Sequence, residues 1–247
     1  MIKLSKRMKA AASMVTSGNV LADIGTDHGY VPIALVQRNR VPSAIAMDIN
    51  KEPLDRAREH IAMCNLQDKI ETRLSDGTKA LAVGEAESIL IAGMGGELVI
   101  HILREGEAVC HSAKELVLQP QSDVHKVRAY LRDNGYAIVD EDMIYEDGKY
   151  YPMMRAVPAE ENKAWNRLKP DAVTVCDLYG PILLKCGNPV LRKYLVKQHR
   201  KLLEILDNLH KRPESESIEK RISEIEREIE YNESAYTILG AIKDAGI

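Results

Sequence analysis

From Asn19 onward, short apolar runs alternate with amphipathic stretches. Val20 to Ile24, Ser43 to Asp48, Ile70 to Leu74, Ser88 to Ala92 and Glu115 to Leu118 read as strands, and helical patterns such as Val31 to Arg38 and Glu52 to Cys64 follow them. This alternation predicts a mostly parallel sheet covered by helices. The pattern changes at Tyr136 to Tyr145 and Tyr150 to Val157, which only Glu146-Asp147-Gly148-Lys149 separates. An Asp-Gly turn between two such runs predicts an antiparallel β-hairpin. The fold class is α/β, with parallel strands, a terminal hairpin and a helical C-terminal part.

The division predicted is a sheet domain over 1–158 and a second part over 159–247. Residues 159–188 contain Trp165, Gly180-Pro181 and Gly187-Asn188-Pro189 and have weak periodicity, so they read as a connecting segment. Beyond Pro189 the spacing is regular. Leu191, Leu195, Gln198, Leu202, Ile205 and Leu209 form one seam, and Ile218, Ile222, Ile225, Ile229, Asn232 and Tyr236 form another. Two antiparallel coiled-coil helices are expected, turning near Pro213, with Gln198 and Asn232 in neighbouring layers as a polar pair that fixes register.

Charge complicates the picture. The 247 residues carry 34 basic and 37 acidic side chains, a net charge of −3, which predicts no nucleic-acid partner in bulk. The distribution is uneven. Lys3, Lys6, Arg7 and Lys9 lie in an acid-free start above an apolar face of Leu4, Met8, Ala11, Ala12 and Val15. Arg192, Lys193, Lys197 and Arg200 make the first coiled-coil helix basic, while the returning helix is rich in glutamate. That arrangement suits either interhelical ion pairs on a solvated face or contact with RNA. Cys64, Cys110, Cys176 and Cys186 are too scattered for a disulfide framework or structural zinc, so no metal is expected and a reducing, cytoplasmic setting is. No signal peptide or membrane span is expected either. With no Phe and one Trp, base stacking would fall to the ten Tyr.

The chemistry concentrates at the strand ends. Asp23-Ile-Gly-Thr-Asp-His-Gly-Tyr30 runs from a strand into glycines and then a helix. Gly25 and Gly29 permit a tight turn and close approach of a ligand. Asp23 and Asp27 would repel a pyrophosphate but suit a ligand that presents cations. Asp48, nineteen residues after Gly29, can accept hydrogen bonds from ribose hydroxyls, with Ile49 beside it. Asp76-Gly77 follows the third strand and either contacts an adenine amino group or forms a turn. After the fourth strand, Gly93-Met94-Gly95-Gly96 either admits a flat base or starts a helix; Gln119 and Gln121 after the fifth either read a base edge or lie beside a Ser122 helix cap. Acids and glycines together at the C-terminal ends of strands are harder to explain as turns alone.

These motifs, Asp23 to Tyr30, Ala92-Gly-Met-Gly-Gly96 and Leu118-Gln-Pro-Gln121, followed by a coiled-coil tail, resemble the bacterial tRNA (adenine(22)-N1)-methyltransferase family over nearly the whole chain. The resemblance implies a Rossmann-like methyltransferase sheet, S-adenosyl-L-methionine as donor, and adenine 22 of tRNA as acceptor. It places Asp23, Gly25, Asp27, His28, Gly29, Asp48, Ile49, Asp76, Gly77, Gly93 and Met94 around the donor and Gly95 and Gly96 beside the transferred methyl group. Asp27 is expected to follow the charge that develops on the adenine. Tyr30, Tyr150, Tyr151, Gln119, Gln121 and the basic residues of both patches are expected to meet tRNA. Transfer to another RNA position, a small molecule or a protein would use the same donor loops, and a non-catalytic coiled-coil partner protein would have lost the acids. A homodimer through the C-terminal helices is an alternative use of that hairpin.

Overall fold

The computed structural model describes residues 2–159, 169–213 and 215–244, in two compact units, Met1–Asn162 and Lys163–Ile247. Trp165 lies outside the described residues. The first unit holds α1 (Lys6–Met14), β1 (Leu21–Ile24), α2 (Tyr30–Gln37), β2 (Ala44–Asp48), α3 (Lys51–Met63), β3 (Ile70–Leu74) and β4 (Ser88–Ala92). It continues with α4 (Gly96–Glu105), α5 (Glu107–Ser112), β5 (Glu115–Gln119), α6 (Val124–Asp133), β6 (Tyr136–Glu146) and β7 (Lys149–Pro158). All seven strands join one sheet in the order β3-β2-β1-β4-β5-β7-β6. The pairs among β1 to β5 are parallel, and β7 runs antiparallel to both β5 and β6.

Central strands read as continuous apolar runs because helices cover both faces. Ala22, Ile24, Ile45, Met47, Ile89 and Ile91 pack under α4 and α6, while Leu21, Ala44, Ala46, Leu90 and Val117 pack under α1, α2 and α3. The hairpin turns at Asp147 and Gly148 with φ of 49° and 79°, the left-handed pair that a two-residue turn requires. Leu118 pairs with Met154, so Tyr151 and the turn overhang the C-terminal ends of the parallel strands. A buried ion pair, Arg128 Nε to Glu141 Oε1 at 2.8 Å, ties α6 to the hairpin.

Strand order reverses between β1 and β4, so the loops after these two strands diverge to opposite faces and leave a crevice at their ends. Helix α1 closes one side of it. Its buried face is the expected one, with Leu4, Ala11, Ala12 and Val15 inside and Met8 packed against them. Ser5 caps the helix, and the Glu146 carboxylate accepts the backbone N–H groups of Lys6 and Arg7 at 2.7 and 3.2 Å. Those two bonds hold the Glu146 carboxyl below its ordinary pKa and pin the start of α1 to the hairpin.

The second unit contains α7 (Pro170–Tyr179), α8 (Pro181–Lys185), α9 (Pro189–His210) and α10 (Glu216–Asp244). Of the expected connecting segment, 160–168 lie outside the described residues, and 169–188 are mostly helical. Gly180-Pro181 and Gly187 cut it into pieces too short to show a period, yet Val175, Tyr179, Leu183 and Leu184 are buried. Leu191, Leu195, Leu202 and Leu209 form the α9 seam, facing Ile225 and Asn232 of α10. Asn232 Nδ2 donates to Gln198 Oε1 and to the Leu195 carbonyl, both at 3.2 Å, which makes the polar pair a direct bond. Tyr236 departs from its expected seam position. Ala235 and Leu239 are buried instead, and the Tyr236 ring lies at the surface, 43% exposed, under the Arg192 guanidinium.

Candidate active site

A cleft of about 240 Å³ opens at the C-terminal edge of the sheet. It is lined by Asp23 at the end of β1 with Gly25 and Asp27 in the loop beyond it, Asp48 at the end of β2, Ala92 at the end of β4 with Gly93 and Met94 beyond it, and Gln121 after β5. Arg7, Met8 and Ala11 of α1 complete one wall. The glycine turn is required by geometry: Gly25 has φ +73°, and a Cβ there would stand 2.0 Å from the Met94 methyl carbon.

Three carboxylates set the electrostatics. Asp23 is buried at the end of β1, and burial, together with the neighbouring Asp48 carboxylate, pushes its pKa up to about 6. Asp48 Oδ1 accepts the Asn50 N–H at 2.7 Å, which fixes the carboxylate at the start of α3. Ile49 beside it is 61% exposed, an apolar surface left facing outward next to the cleft. Asp27 is exposed on the rim, 3.1 Å from His28 Nε2 and 4.0 Å from the Arg56 guanidinium. Three acids around glycine turns fit a ligand with cationic groups and a ribose, and they oppose a pyrophosphate.

Other expected residues fall elsewhere. Asp76 forms a surface ion pair with Lys79 at 2.5 Å, and neither it nor Gly77 lines the cleft. Gly95 is the N-cap of α4, and Gly96 is closely packed: its N–H donates to the Ser122 carbonyl, and a Cβ on it would meet that oxygen at 2.5 Å. Gly93 N–H is likewise taken by the Gln119 carbonyl at 3.1 Å, so the N–H groups of Gly93 and Gly96 are not offered to a base. Ser122 does not cap α6. Its hydroxyl accepts from Gly96 N–H at 3.3 Å, at the start of α4.

Tyr30 packs with His28 and His60, ring centroids 5.1 Å away in each case, and His60 Nδ1 sits 2.9 Å from the His28 carbonyl. This cluster braces the left-handed His28, φ +60°, and lies beside the cleft lining rather than in it. His60 and Arg56 carry no motif signal, because only the fold brings α3 to the β1 loop. Tyr150 and Tyr151 point to opposite faces of the hairpin, as successive strand residues must. Tyr150 pairs with Tyr145 across the turn, and Tyr151 faces the Arg7 guanidinium. Lys3, Lys6 and Lys9 are exposed, whereas Arg7 turns inward. Gln119 is fully buried and accepts from Arg7. On α9, Lys193, Lys197 and Arg200 are exposed, and Arg192 donates to the Leu239 carbonyl at 2.8 Å.

Among the described residues no cluster of His, Cys, Asp and Glu is arranged to hold a metal ion, and no helix is long and apolar enough to cross a membrane. The fold and the acid-lined glycine cleft define a methyltransferase domain, and the methyltransferase domain family matches residues 4–154. The chain is 32% identical to the tRNA (adenine(22)-N(1))-methyltransferase of Bacillus subtilis over 224 residues, 91% of this chain and 93% of that protein. It belongs to the tRNA (adenine(22)-N1)-methyltransferase family. The solved structure of the B. subtilis m1A22 tRNA methyltransferase TrmK superposes with a TM-score of 0.86 at 30% identity, covering 96% of this chain and all of that one. The Streptococcus pneumoniae protein Sp1610, solved in complex with S-adenosyl-L-methionine, superposes with a TM-score of 0.81 at 31% identity, covering 96% and 100%.

Proposed function

We propose that this chain methylates N1 of adenine 22 in tRNA, with S-adenosyl-L-methionine as donor. The observation that carries the reading is the acid-lined glycine cleft at the switch point of the sheet, in a chain of this family. The donor supplies an electrophilic methyl group on a sulfonium. Asp23 and Asp27 answer its cationic groups, Asp48 its ribose hydroxyls, and the Gly25 and Gly93 turns give the backbone room to approach it. Ring nitrogen N1 of neutral adenine brings its own lone pair, so alignment and electrostatic fit outweigh proton transfer. N1 lies on the pairing edge, and a stem adenine must be opened before it can enter the cleft. Tyr151 and Gln121, at the hairpin and the end of β5, are the acceptor-side groups. Lys3, Lys6, Lys9, Lys193, Lys197 and Arg200 supply the backbone contacts to tRNA, which is a cytoplasmic substrate.

The test is mass mapping of nucleosides in unmodified tRNA incubated with the purified protein and labelled donor. N1-methyladenosine at position 22 is the expected product. Donor binding without transfer to any tRNA that carries adenine there would sink the reading. Asp27→Asn is expected to slow single-turnover transfer about 3- to 10-fold, a modest effect because the carboxylate is exposed. Donor affinity should change less. An unchanged single-turnover rate would remove Asp27 from the transfer step.

A further inference from the structure

The charge pattern of the cleft is lopsided in a way that its acids do not explain. Asp23, Asp27 and Asp48 line it, and the single basic side chain among the described lining residues is Arg7. That guanidinium is half-buried and has neutral company. Nη1 donates to the Gln119 side-chain carbonyl at 2.7 Å, and the guanidinium carbon lies 5.5 Å from the centre of the Tyr151 ring. Nη1 also rests 3.5 Å from where a Gly93 Cβ would stand, on the turn that precedes Met94. Among the described residues no carboxylate lies within ion-pair distance of it. The Glu146 carboxylate, on the hairpin beside α1, is taken by the backbone N–H groups of Lys6 and Arg7.

We infer that Arg7 is the clamp for the carboxylate of the donor's amino-acid end, rather than a contact to tRNA phosphate. The inference rests on the reading that the cleft takes S-adenosyl-L-methionine. That molecule carries a sulfonium, an ammonium and one carboxylate. The three acids suit the cations and the ribose, but they repel the anion, so a cleft that binds the whole molecule needs one fixed cation. Arg7 supplies it from the α1 wall of the cleft. One donor edge of its fork is spent on Gln119, which leaves other N–H groups for a carboxylate oxygen. Gln119 and Tyr151 act as positioning residues that hold the guanidinium over the Gly93 turn. The anchoring of α1 to Glu146 gives the helix a defined start, and therefore gives Arg7 a defined reach.

The test compares two ligands by calorimetry in the absence of tRNA: S-adenosyl-L-methionine and its decarboxylated analogue, which keeps the sulfonium and the ammonium. The wild-type protein should prefer the intact donor. Arg7→Met should weaken the intact donor about 10- to 100-fold and leave the analogue within about 3-fold, since a charge-assisted bond to an Arg fork is lost only for the first. S-adenosylhomocysteine, which retains the carboxylate, should weaken in parallel with the donor. Arg7→Lys should recover part of the preference. A variant that still prefers the intact donor as strongly as wild type overturns the inference, as does equal loss of both ligands, which would make Arg7 a support for the cleft wall. A preserved donor preference with a raised KM for tRNA would return Arg7 to the RNA-contacting set. If the wild-type protein binds neither ligand, it is the proposed function that fails.

Discussion

Asp23→Asn should lower donor affinity by at least about 100-fold and, in the ligand-free protein, raise the melting temperature. Both effects follow from one buried carboxylate. Burial holds Asp23 at a pKa of about 6 against an ordinary 3.8, so at neutral pH the fold keeps a charge that it disfavours by about 3 kcal/mol. The sign follows from the direction of the shift. A carboxylate whose pKa is raised in the folded state adds stability when protonated, and that contribution is lost as pH rises through about 6. Asn removes the buried charge and with it this pH dependence. Ligand binding runs the other way, because cationic groups over the cleft require the ionised form. Donor affinity of the wild-type protein should therefore fall as pH drops below about 6, approaching tenfold per unit as far as Asp23 governs it. Calorimetry between pH 5 and 8, beside thermal melts of both ligand-free proteins, checks the pair. A less stable Asn variant would overturn the burial penalty on the Asp23 charge, and one that binds donor normally would remove Asp23 from the site.

Much of this site was legible because parallel α/β folds place chemistry at strand ends, and strand ends are visible as apolar runs stopping at Asp and Gly. Asp23, Gly25, Asp27, Asp48, Gly93, Met94 and Gln121 all line one cleft. The hairpin was legible for a similar reason, since Asp147-Gly148 supplies two left-handed residues. What escaped sequence reasoning depends on which way a side chain turns once packed. Arg7 shares a charged run with Lys3, Lys6 and Lys9, and only the packing of α1 points it inward. Tyr150 and Tyr151 look equivalent until strand alternation separates them. Asp76 sits at a strand end like the others, yet Lys79, three residues on in the same turn, pairs with its carboxylate. In the helical unit, regular heptads gave the α9 seam. The slip at Tyr236 reflects Asn232, whose bonds to Gln198 and Leu195 leave Ala235 and Leu239, three and seven residues later, to fill the core.

The two glycine turns should separate under mutation, because their neighbours differ in kind. A Cβ on Gly96 would stand 2.5 Å from the Ser122 carbonyl oxygen and 2.9 Å from that of Asp123. Both are backbone atoms, and the Ser122 oxygen also accepts the Gly96 N–H, so α4 and the β5–α6 loop must part for an alanine to fit. Gly96→Ala is expected to cost about 2 to 4 kcal/mol, a melting-temperature loss of several degrees, by overpacking that side-chain motion cannot relieve. At Gly25 the close atom is the Met94 methyl carbon, the end of a flexible chain that can swing away. Gly25→Ala pays chiefly for its left-handed φ of +73°, about 1 to 2 kcal/mol, and the protein should remain folded. Its methyl group and the displaced methionine, however, both intrude on the cleft beside Asp23, so donor binding should be lost from a protein that still melts cooperatively. The Gly96 variant should bind donor nearly normally at temperatures where it is folded, because Gly96 does not line the cleft. Melting curves with and without donor distinguish the two: a donor-induced rise in melting temperature for Gly96→Ala and none for Gly25→Ala is the expected pattern. The reverse pattern would mean that the β4–α4 turn, and not the β1–α2 turn, holds the ligand.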